Sequence, residues 1–236
     1  LDIGCNDGSL FNLFKLENCK TIGIEPTDAY KEAKKNGHDV YSSYFNREVV
    51  KKIKKKYKTI DIITFTNVFA HIENFRELIK NLKSLISKET IIVIENHYLG
   101  SVTNKNQFDT FYHEHPRTYS VNSFLHMQEL LGLNLTQVSF PKRYCGNIRV
   151  FFQKKKTNLN YKLFIKKEKK FKKQLSQMSS KITKWKKKKI KLIKKIVSIH
   201  GPIPAKAFPG RAAIILRLLR ADEKMIKLDY EKNNSL

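Results

Sequence analysis

The chain has 236 residues, enough for one full domain and part of a second, and its apolar fraction of 41% is compatible with a buried core. The net charge of +26 is unevenly spread, since residues 154–200 hold 19 lysines and one acid. No apolar run is long enough to cross a bilayer, and three scattered cysteines exclude a disulfide scaffold. We therefore expect a protein of a reducing, cytoplasmic compartment.

Short apolar strands alternate with amphipathic helices in the first two thirds of the chain. The predicted strands cover residues 1–4, 21–25, 39–41, 60–65, 89–95, 135–139 and 148–153. A first helix is predicted to begin at residue 10, and three further helices are predicted at residues 28–36, 74–85 and 121–131. This alternation predicts an α/β fold with a Rossmann-like, doubly wound parallel sheet, whose last two strands pair with each other.

A glycine-containing turn follows the first predicted strand, with Asp2, Gly4, Asn6 and Gly8 at every second position. Ligands of open parallel sheets bind beyond the carboxyl ends of the strands, where small residues and a helix N-terminus admit them to the backbone. Glu25 ends the second strand, at a spacing that suits a carboxylate accepting both hydroxyls of a ribose. A plain tight turn with a surface Glu is the alternative. The two features together favour a nucleotide-type ligand.

The pattern Asp-x-Gly-x-x-x-Gly with a downstream acid resembles motifs I and II of the class I S-adenosylmethionine-dependent methyltransferases. The third glycine of the dinucleotide fingerprint is missing, which counts against NAD. The resemblance implies that Gly4, Asn6 and Gly8 line the methionine part of the cofactor. It also implies that Asp2 supports the turn and that Glu25 holds the ribose.

Two later segments also match positions of that family. Ser43 stands where the family often has an acid at the adenine, so the contact to the adenine amino group is left open. Residues 66–71 follow the fourth strand, where the family lines the cofactor and reaches the substrate. We assign Asn67 to the cofactor and His71 to the substrate pocket as a second donor. Phe69 has the spacing of a core residue and receives no role.

A narrower resemblance is to the sugar C-methyltransferases, which act on nucleotide-linked 4-keto-deoxysugars. Five motifs occur in the order seen in that family, at residues 3–8, 23–26, 67–72, 95–100 and 108–115. The likeness covers residues 1 to about 153. The zinc-binding domain that precedes the catalytic domain in this family has no counterpart here, so we expect the sequence to be a piece of a longer protein. Arg149, in a match to Gly-Gly-Ser-x-Arg, either contacts the substrate or pairs with an acid across the sheet.

The fifth motif carries the residues that C-methylation requires. A carbon next to a ketone becomes nucleophilic after it loses a proton to a base with a pKa near neutral, and the enolate oxygen needs a hydrogen-bond donor. The match to the family's Tyr-x-Glu-His implies that His115 is the base and Tyr112 the donor or substrate anchor. Glu114 would orient an imidazole or bind the sugar. His113 has no family counterpart, and a metal site built from three adjacent residues has poor geometry.

Residues 158–199 contain no Pro and no Gly, and their apolar residues are spaced by threes, fours and sevens. This predicts one long amphipathic helix, or two helices packed together, as a connector over residues 154–200. A solvated lysine face is favoured, because Arg is the preferred phosphate ligand and the segment uses Lys. Nucleic acid and an anionic membrane surface are the alternatives.

Residues 201–236 read as a partial second α/β domain. Gly and Pro end the connector, and a strand is predicted at residues 205–208, a helix from Ala212 to about Ala221, and a strand at residues 225–228. Arg211 at the helix N-terminus either meets substrate phosphates or is a surface residue of a tight turn.

The main hypothesis for residues 1–153 is a methyltransferase domain that uses S-adenosylmethionine on a nucleotide-linked keto-sugar. The alternatives are the same fold acting on another acceptor such as RNA, and a catalytically inert binding or scaffold protein.

Overall fold

The computed structural model describes residues 1–206 and 210–229, which divide into two compact units. Unit 1 consists of residues 1–101 and 116–169, and unit 2 of residues 102–115 and 170–236. The segment with Tyr112 and His115 therefore belongs to the unit that contains the C-terminal helices. The three-part division expected from the sequence stays a prediction.

Unit 1 is built on a seven-stranded sheet in the order β3-β2-β1-β4-β5-β7-β6. Its strands are β1 (Asp2–Ile3), β2 (Ile22–Ile24), β3 (Asp39–Tyr41), β4 (Ile62–Thr66), β5 (Ile91–His97), β6 (Asn134–Ser139) and β7 (Asn147–Gln153). The first five are parallel, and β7 runs antiparallel to both β5 and β6. The predicted doubly wound fold is confirmed. The strand order reverses between β1 and β4, which places a ligand crevice at their carboxyl ends.

Seven α-helices lie between or directly after these strands within the described residues. They are α1 (Ser9–Leu16), α2 (Tyr30–Lys35), α3 (Arg47–Lys56), α4 (Phe75–Leu85), α5 (Leu99–Lys105), α6 (Val121–Leu131) and α7 (Tyr161–Glu168). The sequence pattern predicts neither α3 nor α5. The start of α3 is nevertheless encoded, because the Asn46 side chain accepts a hydrogen bond from Val49 N at 3.0 Å as an N-cap.

Two apolar clusters cover the sheet. The larger cluster joins strand residues such as Ile63 and Phe65 to buried side chains of α3, α4 and α6. The smaller cluster contains Cys5, Phe11, Ala33 and Val40. Gly23 faces this smaller cluster, since a Cβ there would lie 2.5 Å from Cys5 Sγ. Successive strand residues point to opposite faces, so the neighbours of Gly23 in β2 contribute to the larger cluster.

Glu168, the one acid of the lysine-rich segment, is buried at the end of α7. Its carboxylate accepts hydrogen bonds from Val121 N at 2.7 Å, from Asn122 N at 2.9 Å and from the Tyr98 hydroxyl at 3.1 Å. A carboxylate on the first backbone N–H groups of a helix favours its dipole and satisfies donors that have no partner within the helix. Glu168 thereby fixes the N-terminus of α6.

Unit 2 contains helices α8 (Phe171–His200) and α9 (Gly210–Leu219) and the strands β8 (Ile203–Lys206) and β9 (Ile226–Asp229). The two strands pair in parallel, as expected for a strand–helix–strand unit. The lysine-rich segment therefore forms two helices, α7 and α8. Residues 207–209, which include the end of a predicted strand, and the side chain of Arg211 lie outside the described part. None of the helices described here has both the length and the apolar composition that a bilayer crossing requires.

Candidate active site

The turn between β1 and α1 has left-handed backbone at three predicted cofactor residues, with φ of 77° at Gly4, 51° at Asn6 and 81° at Gly8. Glycine adopts such angles at little steric cost. A Cβ at Gly4 would also lie 2.7 Å from Val68 Cγ2, and one at Gly8 would lie 2.9 Å from His38 Cδ2. The space beside both glycines is thus filled by protein side chains. A ligand at this turn would meet its backbone groups.

Glu25 joins this turn to the carboxyl end of β2. Its Oε2 accepts a hydrogen bond from Asn6 N at 3.0 Å, and its Oε1 accepts from Thr27 N at 2.9 Å and from Thr27 Oγ1 at 2.6 Å. A carboxylate offers about four acceptor positions. One position on Oε2 therefore remains for a ribose hydroxyl, and a second hydroxyl fits only if the Thr27 hydroxyl turns away from Oε1.

Asp2 is 3% exposed and lies under the same turn. The Thr64 hydroxyl donates a hydrogen bond of 2.6 Å to Asp2 Oδ1 and so ties β1 to β4. Burial raises the pKa of Asp2 to about 6, although the bond from Thr64 favours the ionised form. The predicted role of Asp2 in supporting the turn stays a prediction.

A second buried carboxylate, Glu95, lies at the carboxyl end of β5 and is 3% exposed. Its Oε2 accepts from Arg149 Nε at 2.7 Å and from Arg149 Nη2 at 2.6 Å. Its Oε1 accepts from Asn147 Nδ2 at 2.8 Å, and Asn147 Nδ2 also donates to Asn67 Oδ1 at 2.9 Å. Arg149 thus makes the ion pair across the sheet that was one of its two alternatives. Its side chain remains 41% exposed, and its contact with a substrate stays a prediction.

Sequence reasoning gave no role to Glu95 or Asn147. The available signal was a single acid at the end of an otherwise apolar strand, Ile91-Ile92-Val93-Ile94-Glu95. A charge inside an apolar strand requires a partner, but the sequence does not name it.

Two predicted site residues sit in short local turns. The Ser43 hydroxyl donates to the Tyr44 carbonyl at 2.9 Å and accepts from Asn46 Nδ2 at 3.3 Å, so it takes part in the turn before α3. His71 is exposed at the end of a one-turn 3₁₀ helix, Phe69–His71, that follows β4. Phe69 is completely buried, which confirms its interpretation as a core residue.

The segment of residues 108–115 in unit 2 brings Tyr112 and His115 together. Their ring centroids lie 4.5 Å apart, and the Tyr112 hydroxyl lies 3.5 Å from His115 Nε2. His115 Nδ1 lies 3.1 Å from the Thr110 carbonyl oxygen, which can only accept, so Nδ1 carries the proton. In the neutral imidazole the lone pair is then on Nε2. Glu114 is half exposed and lies 3.8 Å from Nε2 of the exposed His113.

The chain is similar to known methyltransferases in sequence and in fold. C-methyltransferase NovU of Streptomyces niveus is 26% identical over 152 residues, which cover 64% of this chain and 36% of that protein. The chain thus spans about a third of the length of this relative. An S-adenosylmethionine-dependent methyltransferase from Archaeoglobus fulgidus superposes with a TM-score of 0.52 at 17% identity, covering 64% of this chain and 83% of that one.

The plantazolicin methyltransferase BpumL, solved in complex with SAH, has a TM-score of 0.50 at 14% identity and covers 65% of this chain and 75% of its own. These structural likenesses show the fold. The model of one protein family, described as a methyltransferase domain, matches residues 1–138, which is more than half of the chain. The chain therefore belongs to the methyltransferase domain family.

Proposed function

We propose that this protein is a C-methyltransferase that uses S-adenosylmethionine to methylate the carbon next to the ketone of a nucleotide-linked 4-keto-deoxysugar. The likeness to a protein named as a C-methyltransferase supports transfer to carbon. The five sequence motifs shared with the sugar C-methyltransferases support the substrate class.

S-adenosylmethionine, when bound, supplies an electrophilic methyl group on a sulfonium. Glu25, Asn6 and Asn67 are the residues of unit 1 that would hold it. Glu25 keeps an acceptor position for a ribose hydroxyl, and Asn6 is fixed by that same carboxylate. Arg149, whose side chain is 41% exposed, would supply a cation suited to a diphosphate.

The observation that carries the proposal is the distance of 3.1 Å between His115 Nδ1 and the Thr110 carbonyl oxygen. Because Nδ1–H donates to the Thr110 carbonyl, Nε2 is the basic atom and the ring has one fixed orientation. In the proposed reaction His115 Nε2 removes the proton from the carbon next to the ketone. The electron pair of that C–H bond moves into the enolate. The enolate carbon would then form its new bond to the methyl group of the sulfonium while the methyl–sulfur bond breaks, with its electron pair left on the neutral thioether sulfur.

Tyr112 is placed to respond to this proton transfer. Its hydroxyl lies next to Nε2, the atom that gains the proton. A protonated Nε2 no longer accepts a hydrogen bond, so the hydroxyl then turns its hydrogen to the enolate oxygen and stabilises the developing charge. Two roles stay predictions: Glu114 as a residue that orients an imidazole or binds the sugar, and His71 as a second donor.

The test is hydrogen exchange of a nucleotide 4-keto-deoxysugar in deuterated water, measured by NMR with the protein and S-adenosylhomocysteine. Wild-type protein should exchange the hydrogen next to the ketone, and His115→Asn should lower the rate at least about 100-fold, as expected for loss of a general base. His113→Asn is the matched control, since His113 is 87% exposed and has no assigned role. Undiminished exchange in His115→Asn would contradict the assignment of the base.

A further inference from the structure

Glu95 is a buried carboxylate whose charge is neutralised by a side chain of its own sheet. Thr66, Glu95 and Arg149 lie side by side on β4, β5 and β7. Arg149 donates twice to Oε2, and Asn147 donates to Oε1. A carboxylate whose charge is already paired with a guanidinium attracts a ligand hydroxyl less strongly than an unpaired one. Any influence that it has on a bound molecule passes through the residues that it holds.

The hydrogen bonds of Glu95 fix the orientation of two amides in turn. Because an ionised carboxylate only accepts, Asn147 must direct its Nδ2 toward Glu95. The second hydrogen of Asn147 Nδ2 reaches Asn67 Oδ1 at 2.9 Å, so Asn67 must direct its oxygen toward Asn147. The amide nitrogen of Asn67 then points away from this network, and it donates to no atom among the residues that the structure describes.

The backbone holds Asn67 in the same place. Asn67 follows the last residue of β4 with a left-handed φ of 58°, and its N–H donates to the Glu95 carbonyl at 2.8 Å. Asparagine adopts this backbone region more readily than most residues. The main chain of Glu95 thus holds the backbone of Asn67, and its side chain, through Asn147, holds the side-chain amide of the same residue.

We propose that Glu95 is a positioning residue: through Asn147 it orients Asn67 so that Asn67 presents a hydrogen-bond donor to an oxygen of the bound methyl donor. This deepens the proposed function and rests on its assignment of Asn67 to the cofactor. It is independent of the sugar. Arg149 compensates the buried charge of Glu95, which would otherwise oppose burial.

The replacement Glu95→Gln tests the direction of the relay. If the oxygen of the substituted side chain accepts from Arg149, its amide nitrogen faces Asn147 and forces that amide to turn. Asn67 then turns as well and presents an oxygen outward, where the wild type presents a donor. We expect the affinity for S-adenosylhomocysteine, measured by calorimetry, to fall about 10-fold. In an Asn67→Ala background, the same replacement should change it less than about twofold, because coupled residues are not additive.

A second variant separates orientation from the ion pair. Asn147→Ala removes the link to Asn67 and leaves the contact between Glu95 and Arg149 in place. It should also weaken binding about 10-fold, and again only when Asn67 is present. Glu168→Gln is the matched control, because Glu168 is another buried carboxylate of unit 1 with a structural role. It should lower the unfolding temperature and leave the affinity unchanged.

The proposal is overturned if Glu95→Gln lowers the affinity for S-adenosylhomocysteine equally in the presence and in the absence of Asn67. It is also overturned if the affinity is unchanged in both Glu95→Gln and Asn147→Ala. Binding of S-adenosylhomocysteine needs no sugar. The two claims can therefore fail separately. If the effect of Glu95→Gln on affinity depends on Asn67 but the protein does not methylate keto-sugars, the role of Glu95 is supported and the proposed function is contradicted.

Discussion

The two buried carboxylates at the carboxyl edge of the sheet, Glu25 and Glu95, differ in what binds them. Glu25 accepts from two backbone N–H groups and a Thr hydroxyl, all neutral, and keeps an acceptor position on Oε2. Glu95 accepts from a guanidinium and a side-chain amide, and its strong contacts are used within the protein. Burial and strand position are alike in the two residues. Each carboxylate accepts from three donor atoms, so the charge of the partners is what distinguishes them. The charge of Glu95 is neutralised by Arg149, whereas Glu25 accepts from neutral groups among the described residues and keeps its full charge for the hydroxyls of a ligand.

Asp2 provides a third case on the same edge. It has one side-chain donor, Thr64, and burial raises its pKa to about 6. The three carboxylates thus differ in their hydrogen-bond partners: Asp2 has one hydroxyl, Glu25 has neutral backbone and hydroxyl donors, and Glu95 has a guanidinium. Three measurements sharpen or break this comparison.

The largest effect is expected for Glu25→Gln. One atom of the substituted amide is a donor, and it would face either the Asn6 N–H or the Thr27 N–H that the carboxylate accepts in the wild type. Loss of charge-assisted bonds to both the turn and the ribose should lower the affinity for S-adenosylhomocysteine about 100-fold. Calorimetry on folded variants measures this. A smaller loss than in Glu95→Gln would reverse the assignment of the two residues.

An effect of intermediate size is expected for the pH dependence of Asp2→Asn. A raised pKa in the folded state means that folding favours protonated Asp2, a contribution present below pH 4 and lost as the pH rises through about 6. Asparagine stays neutral and can still accept from Thr64. The free energy of unfolding of the variant, relative to wild type, should therefore rise by on the order of 2 kcal/mol between pH 4 and pH 7. Urea unfolding curves at several pH values measure it, and a constant difference would contradict the raised pKa.

A smaller effect is expected for Arg149→Met. It leaves the Glu95 carboxylate buried with Asn147 as its side-chain donor, but Arg149 is 41% exposed, so water can replace part of the lost interaction. We expect a loss of about 1–2 kcal/mol in the free energy of unfolding. Adding Glu95→Gln should recover part of it, because the uncompensated charge is then absent. If the double variant is less stable than Arg149→Met alone, loss of the ion pair is not the reason that Arg149→Met is destabilised.

The sequence predicts the parts of this site that depend on local order along the chain. Strand β3 and helix α6 have the predicted bounds, and Glu25 is found because it ends a strand after a glycine turn. Helix α3 is missed because its lysines outnumber the apolar residues Val49, Val50 and Ile53 that it buries. Its N-cap at Asn46 was the readable signal.

The polar network around Glu95 depends on strand pairing between distant residues. Glu95 lies opposite Arg149 because β7 pairs antiparallel with β5, a register that no local pattern contains. The tautomer of His115 likewise depends on where the Thr110 carbonyl points in an irregular segment. Residue types in a motif therefore indicate candidate roles, and the hydrogen-bond partners decide among them.

The most direct test of the central claim is the fate of a labelled methyl group. The protein is incubated with a nucleotide 4-keto-deoxysugar and S-adenosylmethionine that carries an isotopic label in its methyl group, and NMR of the product identifies the atom that bears the label. We expect the label on the carbon next to the ketone. Label on oxygen or nitrogen of the sugar, or no transfer to the sugar at all, would contradict C-methylation of this substrate class.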